Sequence, residues 1–134
     1  MKTHIYFKET HGFDWINFLE PSEEELTQLG IDFQILPLYI QDIMQAEHLP
    51  KAEINDDENG SFIIARVLDP VLEGKEFKNI PEMTRKLAII IKDNRIVTIQ
   101  RARLDWMEAF IQKKKAMPKN GFLLVCSLLK ATFR

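Results

Sequence analysis

The stretch of sequence that decides the fold is LAIIIK-DN-RIVTIQ, which runs from Leu87 to Gln100. Two runs rich in isoleucine and valine flank the pair Asp93-Asn94. β-Branched residues on both sides of a two-residue turn are typical of a β-hairpin. The sequence therefore predicts two antiparallel strands, over Leu87–Lys92 and Arg95–Gln100.

Four further strands are predicted upstream of this hairpin. They are rich in aromatic and β-branched residues, and glycine-containing or acidic turns separate them. The strand that contains Phe62 is expected to be buried on both faces, because four apolar residues follow one another there. The predicted strands cover residues 4–8, 14–19, 51–54 and 61–67, with turns at Gly12 and at 55–60.

Three helices are predicted from capping residues and from apolar spacing. Ser22 with Glu25 forms a capping box after Pro21, and the helix that it starts is expected to end at Gly30. Pro37 is expected to open a second helix that reaches about Glu47. A third helix is predicted over about 104–115. The apolar face of the second helix is predicted to contain Leu38, Ile43 and Met44, and that of the third Leu104, Met107, Phe110 and Ile111.

The order of these elements predicts an α+β fold. Strands, helices, further strands and a closing helix favour a mixed, largely antiparallel sheet flanked by helices, which is an α/β/α sandwich. Residues 69–83, with two prolines and a glycine, are interpreted as a long irregular connection. The apolar segment 122–133 is interpreted as the first turns of a longer, truncated helix. We therefore expect a domain over 1–120 and the start of that helix over 121–134.

Composition excludes several classes of protein. Of the 134 residues, 46% are hydrophobic and 28% are charged, which is typical of a globular domain and not of a disordered chain. The formal net charge of −2 gives no basic surface for nucleic acid. The single cysteine, Cys126, cannot form a disulfide within the chain. The N-terminus has no signal core, and no segment approaches the roughly 20 apolar residues of a membrane span.

No catalytic constellation stands out in the sequence. His4, His11 and His48 lack the spacing of a zinc pair, and the glycines are too isolated for a phosphate-binding loop. No Gly-x-Ser-x-Gly nucleophile elbow is present. The acidic stretch 56–60 lacks the alternate ligands of a calcium loop and predicts a hairpin turn. The residues thus predict a soluble mixed α and β domain that is not an enzyme.

An ordered series of segments resembles the N-terminal cytoplasmic domain of the CorA family of magnesium and cobalt transporters. No single segment is specific, but together they span roughly residues 13–100. The matching segments are Trp15-Ile16-Asn17, Pro21–Leu26, Leu36-Pro37-Leu38, Gln41-Asp42-Ile43, Pro50–Glu53, Gly60–Ile64, Leu87–Ile91 and Asn94–Ile99.

The resemblance implies a regulatory and assembly module at the cytoplasmic face of the membrane. Family members are homopentamers, and cations bound between neighbouring domains favour the closed channel. The parent would reach the membrane only through C-terminal helices that this chain lacks. The implied cation is Mg²⁺, with Co²⁺ or Zn²⁺ as alternatives, and its implied ligands are Asp69, Glu73 and Glu76. Asp42 is expected to be structural, with Lys51 as a cationic partner.

Two other hypotheses remain open. The same domain could belong to a zinc-handling relative of the ZntB type, which the pore-mouth sequence and loop charge would distinguish. A stand-alone binding module without membrane helices is the third reading. The apolar end at Phe122–Arg134 argues against it, and the complete reading frame would decide.

Overall fold

The computed structural model describes residues 2–7, 9, 12–45, 50–53, 60–68, 84–101 and 104–112. These residues form six strands and three helices that we number in chain order. The strands are β1 (Lys2–Tyr6), β2 (Asp14–Leu19), β3 (Lys51–Glu53), β4 (Ser61–Leu68), β5 (Thr84–Lys92) and β6 (Arg95–Gln100). The helices are α1 (Glu23–Asp32), α2 (Pro37–Met44) and α3 (Asp105–Gln112).

All six strands form one sheet in the order β1-β2-β6-β5-β4-β3. Strand β2 pairs in parallel with β6, and every other neighbouring pair is antiparallel. The mixed, largely antiparallel sheet predicted from the sequence is therefore confirmed. The hairpin β5–β6 is central in it, and Asp93 and Asn94 have φ angles of 51° and 60°. Two consecutive left-handed residues give the turn whose twist matches that of the strands.

The two faces of the sheet carry separate hydrophobic cores. On the inner face, as we call the face under α1 and α2, Phe62, Ile90 and Ile99 pack against Leu26 and Ile43. On the outer face, α3 covers a second core. The buried members of that core include Trp15, Leu87, Ile89, Ile96, Leu104 and Met107. Helices thus lie on both faces, which confirms the α/β/α sandwich.

Helix α1 begins as the sequence predicts but ends later. The Ser22 hydroxyl accepts from the Glu25 N–H at 3.1 Å, and the Glu25 carboxylate accepts from the Ser22 N–H at 3.3 Å. The predicted end at Gly30 is wrong, because the helix continues to Asp32. A Cβ at Gly30 would lie 3.1 Å from Ile40 Cγ1. This glycine therefore serves the close approach of α2 and does not terminate α1.

Helix α2 differs from the prediction at its end and on its face. It has Pro37 in its first turn but ends at Met44, since Gln45 is extended with ψ 116°. Leu38 is 56% exposed and does not belong to the inner face. Ile43 is buried and Met44 packs against the same core, as predicted, and the position of Leu38 is taken by its neighbours Tyr39 and Ile40, which are buried.

The remaining differences concern strand ends and one strand face. β1 covers Lys2–Tyr6 and not residues 4–8, and α3 begins after Leu104. Burial of β4 on both faces holds for three of the four residues: Phe62 and Ile64 are buried on the inner face and Ala65 on the outer one, where Ile63 is half-buried. β3, its neighbour, spans only three residues at the edge of the sheet. The expectations for residues 46–49, 54–59, 69–83 and 113–134 lie outside the described residues.

Candidate functional site at the junction of helix α2 and the sheet

The C-terminal end of helix α2 contacts a buried lysine on the central strand β5. Lys86 Nζ donates to the carbonyls of Asp42 at 2.8 Å and Ile43 at 3.0 Å, and also to that of Gln45. The last carbonyls of a helix have no partner within the helix, and a cation satisfies both their lone pairs and the negative end of the dipole. Lys86 thus links β5 to α2 across the inner face.

Burial makes the charge of Lys86 costly. The residue is only 3% exposed, and its pKa falls from 10.5 to about 8, with desolvation as the largest cause. The guanidinium groups of Arg66 and Arg101 contribute to this lowering of the pKa, and the Asp42 carboxylate partly offsets it. The ammonium therefore remains charged at neutral pH, held by three carbonyls and repelled by two neighbouring cations.

Arg66 on β4, Lys86 on β5 and Arg101, which directly follows β6, form a row that we call the cationic row. Arg66 pairs with Lys86 in the β4–β5 register, and the Arg101 N–H donates to the Lys86 carbonyl at 3.5 Å. All three occupy inner-face positions, since they continue the alternation of Ile64, Ala88 and Ile99. The row lies at the end of the sheet that contains the last residues of β4 and the first residues of β5.

A second ionic cluster lies beside the row, on α2 and β3. Lys51 Nζ donates to Asp42 Oδ2 at 2.7 Å and lies 3.0 Å from Glu53 Oε1. Hydrogen bonds to Asp42 and then to Glu53 raise the pKa of Lys51. The contact predicted between Asp42 and Lys51 is therefore present. The Asp42 side chain is 9% exposed, whereas that of Glu53 is 41% exposed.

We expect Asp42→Asn to lower the free energy of unfolding by about 1–3 kcal/mol, because it removes a charge-assisted hydrogen bond from a buried position. The measurement is urea denaturation at pH 7. Glu53→Gln is the matched control: it loses a contact to the same ammonium from an exposed position, so its effect should be clearly smaller. Equal losses in both variants, or a changed cation affinity in Asp42→Asn, would argue against a structural role.

The other predicted site residues cannot be placed. Asp69, Glu73 and Glu76 lie in 69–83, outside the described residues. The structure does show where this segment is anchored, because Leu68 and Thr84 pair with each other at the ends of β4 and β5. Within the described ranges, no group of three or more His, Cys, Asp or Glu side chains could hold a metal ion.

The outer face contains a buried polar network that links the sheet to α3. Trp15 Nε1 donates to Thr98 Oγ1 at 3.0 Å, and Thr98 Oγ1 donates to Asn17 Oδ1 at 2.8 Å. Gln100 Nε2 also donates to Asn17 Oδ1, at 3.3 Å, and Gln100 Oε1 accepts from the Leu104 N–H at 3.1 Å. Buried polar groups that satisfy one another specify a unique arrangement, here the position at which α3 begins.

Sequence reasoning missed both the cationic row and this network. A signal was available: Lys86 directly precedes an apolar run, and Asn17, Thr98 and Gln100 interrupt apolar strands. A polar residue inside a buried strand needs a partner. The sequence does not show which partner, because the pairs are separated by as many as 83 residues.

Comparison with solved structures finds the same fold in other proteins. The CorA magnesium transporter from Methanocaldococcus jannaschii matches with a TM-score of 0.60 and 22% identity over 90% of this chain and 37% of its own. The soluble domain of the same transporter matches with a TM-score of 0.58 and 20% identity, over 86% of this chain and 42% of its own. The full-length CmaX protein matches with a TM-score of 0.58 and 12% identity, over 75% of this chain and 29% of its own. This chain thus spans less than half the length of each.

The sequence comparison gives the family. A family model described as CorA-like Mg²⁺ transporter protein matches residues 10–134. The chain belongs to the CorA-like family of Mg²⁺ transporter proteins, and its fold is that of the CorA soluble domain. No curated protein sequence matches it. In the described part of the chain, no helix is both long and apolar enough to cross a membrane.

Proposed function

We propose that this chain is the cytoplasmic regulatory and assembly domain of a divalent-cation transporter, and not an enzyme. The observation that carries the proposal is the family match over residues 10–134, together with the fold of a CorA soluble domain. The transported ion is Mg²⁺ or Co²⁺, and the parent protein is a homopentamer at the cell membrane. The domain senses the cytoplasmic cation and closes the channel when that cation is abundant.

The connection between β4 and β5 is the part of the domain best suited to this role. It contains Asp69, Glu73 and Glu76, and it departs from the sheet at the end that carries the cationic row. Carboxylates contributed by adjacent subunits repel one another without a cation, and a bound Mg²⁺ bridges them. Mg²⁺ suits such a site because it keeps most of its waters and needs only one or two carboxylates.

Loss of the bridging ion then shifts the population of channels. A ligand can move an equilibrium only by as much as its affinities for the two states differ. The cation binds between domains in the closed arrangement and lacks that pair of carboxylates in the open one. Removing the cation therefore favours conducting states, and the coupling is reciprocal.

The test is a Mg²⁺ titration of the complete gene product in liposomes, with ion flux as the readout. Asp69→Asn is expected to raise the Mg²⁺ concentration needed for half-closure by about tenfold, as befits one lost carboxylate contact of roughly 1.4 kcal/mol. Co²⁺ and Zn²⁺ titrated in parallel identify the preferred ion.

Asp93→Asn serves as the control for this titration. Asp93 is an exposed acid in the β5–β6 turn, at the opposite end of the same sheet, and its φ of 51° suits asparagine as well. Its closing response should match that of the wild type. An unchanged response in Asp69→Asn would remove Asp69 from the site, and the absence of any cation-dependent closure would overturn the proposed function.

A further inference from the structure

A recess opens between the connection of α1 to α2 and the turn end of the β5–β6 hairpin. Its volume is about 250 Å³, which includes the open mouth. Buried apolar side chains form the floor, whereas half-buried and exposed charged side chains stand at the mouth. The apolar residues are Phe33, Ile35, Ile90 and Val97, and the charged residues are Lys92, Asp93 and Arg95.

Two cations stand directly opposite each other at this mouth. Lys92 pairs with Arg95 in the β5–β6 register, beside the turn, and both occupy inner-face positions because they alternate with Ile90 and Val97. Like charges directly opposite on neighbouring strands are destabilising. In the described part of the chain, neither cation forms an ion pair with a carboxylate. Asp93 adds one negative charge, so the three charged residues leave the mouth with a net charge of +1.

The two cationic groups approach consecutive residues of the connection between α1 and α2. Lys92 Nζ donates to the Gln34 carbonyl at 2.6 Å, and Arg95 Cζ lies 5.1 Å from the centroid of the Phe33 ring. An ammonium has three donors, so this one bond leaves two. A cation–π contact gives the guanidinium no oxygen acceptor, so its N–H donors remain for a ligand. Both charges are therefore held at one side of the recess with donors available.

We propose that this recess binds a small monocarboxylate with a branched apolar body. The carboxylate lies against Arg95 and Lys92, and the apolar body lies on Ile35, Ile90 and Val97. The planar fork of arginine matches the two carboxylate oxygens. A net charge of +1 matches a monoanion, and the apolar floor disfavours a strongly hydrated dianion such as phosphate. Pockets for drug-sized ligands measure about 300–1,000 Å³, so this smaller recess selects a compound with few carbon atoms.

The wall of the recess is fixed before a ligand arrives. Gln34 has a φ of 53°, and its carbonyl accepts from Lys92. The Ile35 N–H donates to the Gly30 carbonyl at 2.9 Å, which ties the connection back to α1. A preorganised wall reduces the cost of ordering on binding. The cationic row and the β4–β5 connection lie at the other end of the same strands, so this site does not depend on the proposed function.

The test is an NMR titration of the ¹⁵N-labelled 134-residue chain with sodium isovalerate at pH 7, against sodium chloride of equal ionic strength. The amide signals of residues 33–35 and 90–97 are expected to shift together, with a Kd in the millimolar range, as suits a ligand of so few atoms. The map of these shifts in the wild type locates the site without any variant.

Arg95→Gln is expected to weaken isovalerate binding about tenfold, since it removes the charge-assisted hydrogen bonds to the carboxylate. Arg95 is exposed, so the variant should fold. Lys2→Gln is the matched control, because it removes an exposed cation from the other end of the sheet: Lys2 pairs with Phe18 on β2, whereas Arg95 pairs with Asp14. Binding to this control should stay within about twofold of the wild type.

Two analogues of the ligand separate the contribution of its charge from that of its apolar body. Isovaleramide keeps the shape without the charge, and acetate keeps the charge without the branched body. Each is expected to bind the wild type at least about tenfold more weakly than isovalerate. The proposal is overturned if isovalerate has no effect beyond that of chloride, if either analogue binds as well, if Arg95→Gln binds like the wild type, or if the shifts lie away from the recess.

Discussion

Replacing Phe62 by alanine is expected to lower the free energy of unfolding by about 3–5 kcal/mol. Phe62 is fully buried on β4 and stacks on Tyr39, with ring centroids 4.4 Å apart and an interplanar angle of 18°. Its ring thus joins the sheet to α2, and Lys51 Nζ lies 5.8 Å from the ring centroid. Truncation removes the transfer free energy of the ring and leaves a cavity between two rigid elements. Urea denaturation of the wild type and of Phe62→Ala measures the loss.

Phe7→Ala is the control for this prediction. Phe7 is 47% exposed and stacks on His4, with centroids 3.9 Å apart at the end of β1. Loss of a half-exposed ring leaves no closed cavity, and we expect a change below about 1 kcal/mol. A similar loss in the two variants would show that the Phe62 ring does not hold α2 to the sheet.

The wild-type protein is expected to gain stability with rising pH because of Lys86, and Lys86→Met is expected to lack that gain. The unfolded pKa of 10.5 falls to about 8 in the folded protein. Between these values the unfolded chain binds a proton that the folded chain has released, so the free energy of unfolding rises with pH. The difference between the two pKa values, about 2.5, corresponds to a gain of about 3 kcal/mol in the free energy of unfolding. This gain is absent below about pH 7 and complete near pH 10.5.

The measurement is the free energy of unfolding of wild type and Lys86→Met at several pH values from 7 to 10.5. Two other groups lower the free energy of unfolding at high pH. Hydrogen bonds to Asp42 and Glu53 raise the pKa of Lys51, and burial raises the pKa of Tyr6. Both are present in the two chains, so the difference between the curves isolates Lys86.

Lys92→Met is the control for this pH series. Lys92 lies on the same strand and face as Lys86, and its Nζ also donates to a carbonyl, that of Gln34 at 2.6 Å. Lys92 is half-buried at the C-terminal end of β5. Its variant should therefore keep the wild-type rise in the free energy of unfolding with pH. Parallel curves for wild type and Lys86→Met would contradict a costly buried charge at this position.

The sequence predicts best those features that neighbouring residues decide. The hairpin β5–β6 follows from two β-branched runs and a turn pair that tolerates positive φ, and both features are local. The start of α1 follows from Ser22 and Glu25, three residues apart. The pairing of Asp42 with Lys51, nine residues apart, was within reach for the same reason.

Features that depend on packing between distant elements were wrong or missed. The role of Gly30 depends on Ile40 approaching from another helix, and the local reading as a helix end was wrong. Leu38 was assigned to the wrong face of α2, because apolar spacing in eight residues does not reveal where the sheet lies. The cationic row joins β4, β5 and the residue after β6, whose register no local signal contains.

By itself, then, the sequence determined the type of each main element, the α+β class and the resemblance to the CorA family. Only the tertiary structure decided the strand order, the parallel pairing of β2 with β6 and the burial of Lys86 against the end of α2. The physical reason is the range of the interactions. Propensities, caps and turns act over a few residues, whereas the desolvation and charge of a buried lysine depend on groups that the chain brings together from 44 residues away.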